Sequence, residues 1–229
     1  MQQLEERSHK QIQFVAKIGQ SKVFEPGLGL LTGYEACLDP TIESKPRFCK
    51  ARPVPFALKK KVAEALHKSE AEGILVKVDY SEYASPAVPV LKEDQTVSIC
   101  GDYKSTLNPS LDIKVYPLPA VEDFFAEMMG GDLFSKIDIK QAYNNLPLRP
   151  DDQFLTTLNT HQGLYKWTRL PYGVSSSSAI FQSAMDKVLA GMKGVVCRVD
   201  DIFITAPDDE LHMSRVEEVV HRLEVAGFK

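Results

Sequence analysis

The sequence predicts an α+β fold with an antiparallel sheet, and three observations predict it. Stretches with helical apolar spacing alternate with two-stranded elements, where a doubly wound parallel sheet would have single strands. Two β-rich runs, 87–91 and 97–100, flank the polar stretch Lys92-Glu93-Asp94-Gln95, a hairpin signal with a loop of about four residues. A second pair of apolar runs, 195–199 and 202–204, is joined by Asp200-Asp201 alone.

Residues 1 to 50 show no sustained periodicity. Pro26, Gly27, Gly29 and Gly33 interrupt one part and Pro40, Pro46 and Pro53 the next, so extended chain and turns are expected. From 57 to 72, Ala57, Leu58, Val62, Ala65 and Leu66 return at helical spacing, and Gly73 ends the helix. A short strand follows over 74–78, then the hairpin. Residues 118–129 read as a helix stopped by Gly130-Gly131. Residues 133–139 alternate as a strand, with Leu133, Ile137 and Ile139 on the buried side. Runs 154–160 and 164–168 form a hairpin turning at Gln162-Gly163. A helix over 179–189 carries Ile180, Met185, Val188 and Leu189 as apolar positions. The strand pair around Asp200-Asp201 comes next, and a last helix over 209–226 ends at Gly227.

The 229 residues are 44% hydrophobic and 25% charged, enough for one sizeable core or two smaller ones. The net charge of -4 gives no support to nucleic-acid binding, but its distribution is uneven. Residues 45–77 hold nine Lys or Arg against three Glu, whereas 200–229 hold eight acidic and three basic residues. A basic front half permits a local surface for an anionic polymer; a solvated helix surface accounts for either run alone equally well. Cys37, Cys49, Cys100 and Cys197 show no CxxC pairing and read as free intracellular thiols. The first ten residues are too polar for a signal peptide, and no apolar stretch reaches the length of a membrane span.

Asp200-Asp201 alone reads as well as a solvated hairpin turn as it does as a site. Asp138, at the end of another apolar strand, changes the balance. If the strands adjoin in one sheet, three carboxylates can share divalent cations; hard oxygen ligands suit Mg²⁺, and a metal pair would activate a hydroxyl for in-line displacement.

An ordered set of motifs carries a resemblance. It comprises Arg52-Pro53-Val54-Pro55, Ala84-Ser85-Pro86, Ile99-Cys100-Gly101-Asp102-Tyr103-Lys104 and Tyr116-Pro117-Leu118-Pro119. It continues with Phe134-Ser135-Lys136-Ile137-Asp138, Gly163-Leu164-Tyr165-Lys166-Trp167 and Leu170-Pro171-Tyr172-Gly173, and ends with Ala179-Ile180-Phe181-Gln182 and Val199-Asp200-Asp201. Nine motifs in this order resemble the reverse transcriptase of gypsy-type LTR retrotransposons, over about residues 50–229. The resemblance implies a right-hand polymerase fold over 51–229, with fingers and palm, an antiparallel palm sheet and the thumb absent or incomplete. Residues 1–50 are similar to the connector that follows the retroelement protease.

Residue by residue, the resemblance implies that Asp138, Asp200 and Asp201 are catalytic and hold two Mg²⁺, or Mn²⁺, with Ile139 included in the metal set. Tyr143 falls at the sugar-gate position, although a core aromatic is the simpler reading of its sequence. Tyr172 and Gly173 would border nucleotide and template, and Gln182 would face the template from the palm helix. Lys92, in the fingers hairpin, would meet the triphosphate or remain a solvated turn lysine.

Four departures bear on activity. Arg198 stands where the family has Tyr, positioned to pair with Asp200 or Asp201 or to reach a primer phosphate. Ser98 stands where many relatives place Arg. Ser178 replaces a Pro before the helix, a change a helix start tolerates. Asn144 and Asn145 replace residues usually Gln or His.

The implied activity is RNA-directed DNA polymerisation on a primed RNA or DNA template with deoxynucleoside triphosphates. The alternative is a catalytically silent nucleic-acid-binding remnant of the same fold. The resemblance also implies a cytoplasmic retroelement particle, no membrane association, and protease, thumb, RNase H and integrase segments elsewhere in a polyprotein.

Overall fold

From residue 55 onward, chain geometry follows the apolar spacing closely. The computed structural model describes residues 11–41, 45–112, 116–117 and 121–229. Two units divide them: one takes the described residues of 34–115 and 146–180, the other those up to 33, of 116–145 and of 181–229.

The first unit is organised by a five-stranded sheet, order β1-β6-β5-β2-β3, from β1 (Leu75–Val78), β2 (Ser85–Leu91), β3 (Val97–Gly101), β5 (Leu158–Thr160) and β6 (Gly163–Trp167). All pairings are antiparallel except β2 with β5. Helix α2 (Phe56–Ala71) buries Val62 and Leu66, and Gly73, at φ 67°, takes the left-handed turn that leads into β1. Tyr103 is fully buried, and its hydroxyl donates to the Thr156 carbonyl at 2.9 Å. The described stretches 36–41 and 45–48 join this unit through bridges of Ala36 with Leu148 and Phe48 with Ala84.

The second unit contains a fully antiparallel sheet, order β4-β8-β7, from β4 (Leu133–Asp138), β7 (Val195–Arg198) and β8 (Asp201–Ala206). Strand alternation gives it two unlike faces. Val195, Cys197, Ile202, Ile204 and Ala206 are buried, along with Val216, Val219, Val220 and Leu223 of α5 (Asp209–Ala226), which packs on β8 and β4. Phe134, Lys136, Asp138 and Arg198 are exposed. Helix α4 (Ser177–Val188) contributes Phe181, Ala184 and Met185 to the buried set. Asp208 caps α5 by accepting from Leu211 N–H at 2.8 Å, and Gly227 ends it at φ 92°.

Several expectations need correction. Residues 11–18 are helical (α1) and not extended chain. This helix is largely exposed and is tied to α5 by polar contacts, Lys17 to Glu217 at 2.7 Å and Gln11 to Asp209 at 3.3 Å, so no strong apolar stripe advertises it. Residues 150–156 form a 3₁₀ helix with Pro150 in its first turn, where β propensity at 154–157 suggests a strand. The strand over 133–139 ends at Asp138, and Ile139 is buried just beyond it. Helix α3 spans Val121–Met128, followed by Gly130 at φ 81°; the expected start at 118–120 lies outside the described residues.

Candidate functional site

Asp138 and Asp201 are direct cross-strand partners at one end of the three-stranded sheet. Asp200 lies in the turn beside them, because β7 and β8 close with Arg198 opposite Asp201 and only Val199 and Asp200 between. The Ile139 N–H donates to the Asp200 carbonyl at 2.9 Å, fixing the turn to the end of β4. Asp138, Asp200 and Asp201 are thus brought from two chain regions to one sheet end.

The turn is tight and backbone-limited. Val199 sits at φ 55°, in the left-handed region that a β-branched residue rarely adopts. Two-residue hairpins favour positive φ here because it matches strand twist, and normally use Gly, Asn or Asp. The buried side chain of Gln182 holds this geometry. Its Oε1 accepts from Val199 N–H at 3.1 Å, and its Nε2 donates to the Cys197 carbonyl at 2.9 Å and to Asp186 Oδ1 at 2.8 Å.

Gln182 therefore corrects the expectation that it faces the template. Its relative exposure is 0% and its amide is committed to the hairpin. The expected ion pair of Arg198 is not formed: it stands opposite Asp201 in the register, yet among the described residues it enters no ion pair, and left-handed Val199 interrupts the alternation that would set it beside Asp200. Lys136 takes that place, with Nζ 2.9 Å from Asp201 Oδ2. Period-two alternation puts Lys136 on the face of Asp138, a signal the sequence held.

Electrostatics follow from this crowding. Burial raises the Asp200 carboxyl pKa, and the charges of Asp138 and Asp201 raise it further. Asp200 Oδ1 is buried and accepts no hydrogen bond. Beneath the turn, burial pushes the Cys197 thiol up to about 12, with Asp186, Asp200 and Asp201 adding to the shift. The Lys136 ammonium is raised, first by its hydrogen bond to Asp201.

The donor set suits a hard divalent cation: three carboxylates, one with an orphaned buried oxygen. As the side chains stand, no group of three or more His, Cys, Asp or Glu among the described residues is disposed to hold a metal ion, and Asp201 is engaged by Lys136. Ile139 is buried and could offer only its backbone carbonyl.

Tyr143 lies in the 3₁₀ turn Ala142–Asn145 that follows β4; its ring is 8% exposed and meets Phe181 edge-on at 5.5 Å. In the five-stranded unit, Lys92 is exposed at the β2–β3 turn, where its N–H donates to the Thr96 carbonyl at 2.9 Å. Ser98 pairs with Val90 across that hairpin. Tyr172 is half-buried. Gly173 is exposed at φ 92°, where an added Cβ would meet the Gly101 carbonyl at 2.7 Å. Asn108, which the sequence did not single out, fastens this loop: its amide donates to the Gly173 carbonyl and its oxygen accepts from Ser175 N–H, each at 3.0 Å.

Residues 74–229 match the family model described as reverse transcriptase (RNA-dependent DNA polymerase). An uncharacterized Caenorhabditis elegans protein, K02A2.6, is 35% identical over 210 residues, covering 91% of this chain. The Schizosaccharomyces pombe transposon Tf2-3 polyprotein is 32% identical over 147 residues, 63% of this chain. The chain spans only 16% and 11% of the lengths of these two relatives. Among solved structures, a prototype foamy virus protease-reverse transcriptase mutant superposes with a TM-score of 0.83 at 22% identity, over 98% of this chain and 30% of that one. The foamy viral enzyme in complex with RNA/DNA hybrid gives 0.81 at 21%, over 97% and 30%. These likenesses show a right-hand polymerase fold, matched in its fingers and palm portion. The chain belongs to the reverse transcriptase family, related to the pol polyproteins of Ty3/gypsy LTR retrotransposons and retroviruses.

Proposed function

We propose that this chain is the fingers and palm of an RNA-directed DNA polymerase that adds deoxynucleotides to a primer on an RNA or DNA template. One observation carries the reading: the sheet register sets Asp138 opposite Asp201, with Asp200 in the adjoining turn.

Asp138, Asp200 and Asp201 would hold two Mg²⁺, or Mn²⁺, whose chemistry when bound is to acidify a primer hydroxyl and stabilise the attacking and leaving oxygens. The protein's own part is preorganisation. Gln182 clamps the backbone on both sides of the turn, and Ile139 ties the turn to β4, so the carboxylates are placed before substrate arrives. Tyr143 is proposed as the wall against which the sugar is read, its ring steadied by Phe181. Lys92, Tyr172 and Gly173 are proposed nucleotide contacts on the strength of the family resemblance, with Lys92 and Gly173 exposed and Tyr172 half-buried.

The Tf2-3 relative is a transposon polyprotein, which supports a polyprotein context here; protease, thumb, RNase H and integrase segments and a cytoplasmic particle are proposed with it from the family resemblance. Among the described residues, no helix is long and apolar enough to cross a membrane.

Primer extension on a labelled template with Mg²⁺ or Mn²⁺ tests the activity. Extension should be lost in Asp138→Asn, and extension indifferent to that change would overturn the assignment. A second reading, a silent nucleic-acid-binding module, is favoured by the Lys136–Asp201 pair and by Arg198 and Ser98. Binding of primer–template without extension under either metal would select it.

A further inference from the structure

We propose that Lys136 is the resident counter-ion of the carboxylate end of the sheet, and that divalent cations must displace it from Asp201. The inference rests on the metal-binding reading above and deepens it by naming a residue that sets cation affinity.

Lys136 lies on the exposed face of β4, two residues before Asp138, and pairs across the sheet with Phe203. Its ammonium reaches past that partner to Asp201 Oδ2 at 2.9 Å and stands 5.8 Å from the centre of the Phe203 ring. Three carboxylates crowd this end, and Asp200 Oδ1 has no partner. Arg198, the other nearby cation by register, enters no ion pair among the described residues. Lys136 is therefore the charge that offsets the cluster.

An ammonium and a metal ion compete for the same carboxylate lone pairs, and an ammonium cannot itself act as a ligand. Lysine suits a reversible occupant: it is a compact point charge on a flexible stem, without the two-pronged grip of a guanidinium. The Phe203 ring gives the released ammonium a place to remain. Asp201 is then freed only when a cation, with substrate phosphates completing its coordination, outcompetes the amine. Cation occupancy is thereby made to follow substrate arrival.

The test measures Mn²⁺ binding by electron paramagnetic resonance at low ionic strength, for the wild-type chain and for Lys136→Gln, Lys136→Met, Lys136→Arg and Asp138→Asn. Gln and Met variants should bind Mn²⁺ about two- to five-fold more tightly, as expected for loss of one partly exposed ion pair. The Arg variant, which keeps the charge, should show no gain, and Asp138→Asn should weaken binding. Met preserves the stem over Phe203, so it separates charge from packing if the Gln variant folds poorly. A melting-temperature series gives a second readout: Mn²⁺ should raise the midpoint of Lys136→Met more than that of wild type. Unchanged affinity and an unchanged melting response in Gln and Met, with Asp138→Asn still weakening binding, would overturn the role of Lys136 and leave the metal reading intact. Absence of Mn²⁺ binding in every chain would defeat the metal reading and this inference with it.

Discussion

Asp200 is the carboxylate on which burial and like charge fall together. Both raise its pKa, so the folded chain binds this proton more tightly than the unfolded chain does. Between the unfolded value near ~3.9 and the raised folded value, the folded state holds the greater number of protons. Stability therefore falls as pH rises through that window, and the full cost remains at neutral pH. Asp200→Asn is expected to raise the melting temperature at pH 7 in a chelator, with the gain shrinking as pH approaches ~4. A lower melting temperature at pH 7 would contradict this. Gln182 makes the complementary case. Gln182→Met keeps the volume but strands the half-buried Val199 N–H and the buried Cys197 carbonyl, which should cost about 2–4 kcal/mol in denaturant unfolding. A loss below ~0.5 kcal/mol would mean that the turn holds itself. The carboxylates were legible in the sequence because Asp138 ends one apolar strand and Asp200-Asp201 joins two others, but only the ordered motifs read them as one site. The role of Gln182 was not, since it depends on a hydrogen bond to a strand 15 residues away.

At the scale of elements, α5 and the hairpins were readable because capping and alternation are written within a few residues. Asp208 before the helix, Gly227 after it, and period-two alternation in β4 are such signals. Helix α1 was not readable, because what ties it down is polar and lies on α5. The end of α5 also shows a dependence that no local pattern carries. Leu30 N–H donates to the Gly227 carbonyl at 2.8 Å and Thr32 N–H to the Ala226 carbonyl at 3.0 Å, so the chain near residue 30 lies flush against the helix terminus. A Cβ on Gly227 would run into the Leu30 carbonyl, in a backbone conformation that already disfavours side chains. Gly227→Ala should therefore cost about 2–3 kcal/mol, beyond the ~1 kcal/mol of left-handed strain alone. Urea unfolding of the single variant measures this, and a cost of ~1 kcal/mol or less would show that the segment simply moves aside.

For the molecule as a whole, charge distribution sets the expectation for nucleic acid. Lys59, Lys60 and Lys68 are exposed on α2, but Lys60 and Lys68 stand 3.9 Å from Glu64 and Glu72. Part of the basic excess is thus offset locally, which the linear sequence shows only once the helix is drawn. With a net charge of -4 and part of the basic excess offset on the helix itself, primer–template binding should be weak and steeply salt-dependent. Three or four phosphate contacts correspond to a slope of about -3 for log affinity against log salt on duplex DNA. Fluorescence anisotropy of a labelled primer–template across a salt series measures that slope, and a flat response would argue against an electrostatic footprint.

The placement of Cys197 makes the chain its own clock. The thiol lies buried under the Val199–Asp200 turn, donates weakly to the Val199 carbonyl at 3.4 Å, and resists ionisation up to about 12. Because only the thiolate reacts appreciably, an alkylating reagent can modify Cys197 only in moments when the hairpin lifts. Exposed Cys37 reacts without waiting and supplies the internal reference. The ratio of the two labelling rates reports how often the carboxylate end of the sheet opens. A divalent cation that pins Asp200 should lengthen the interval between openings.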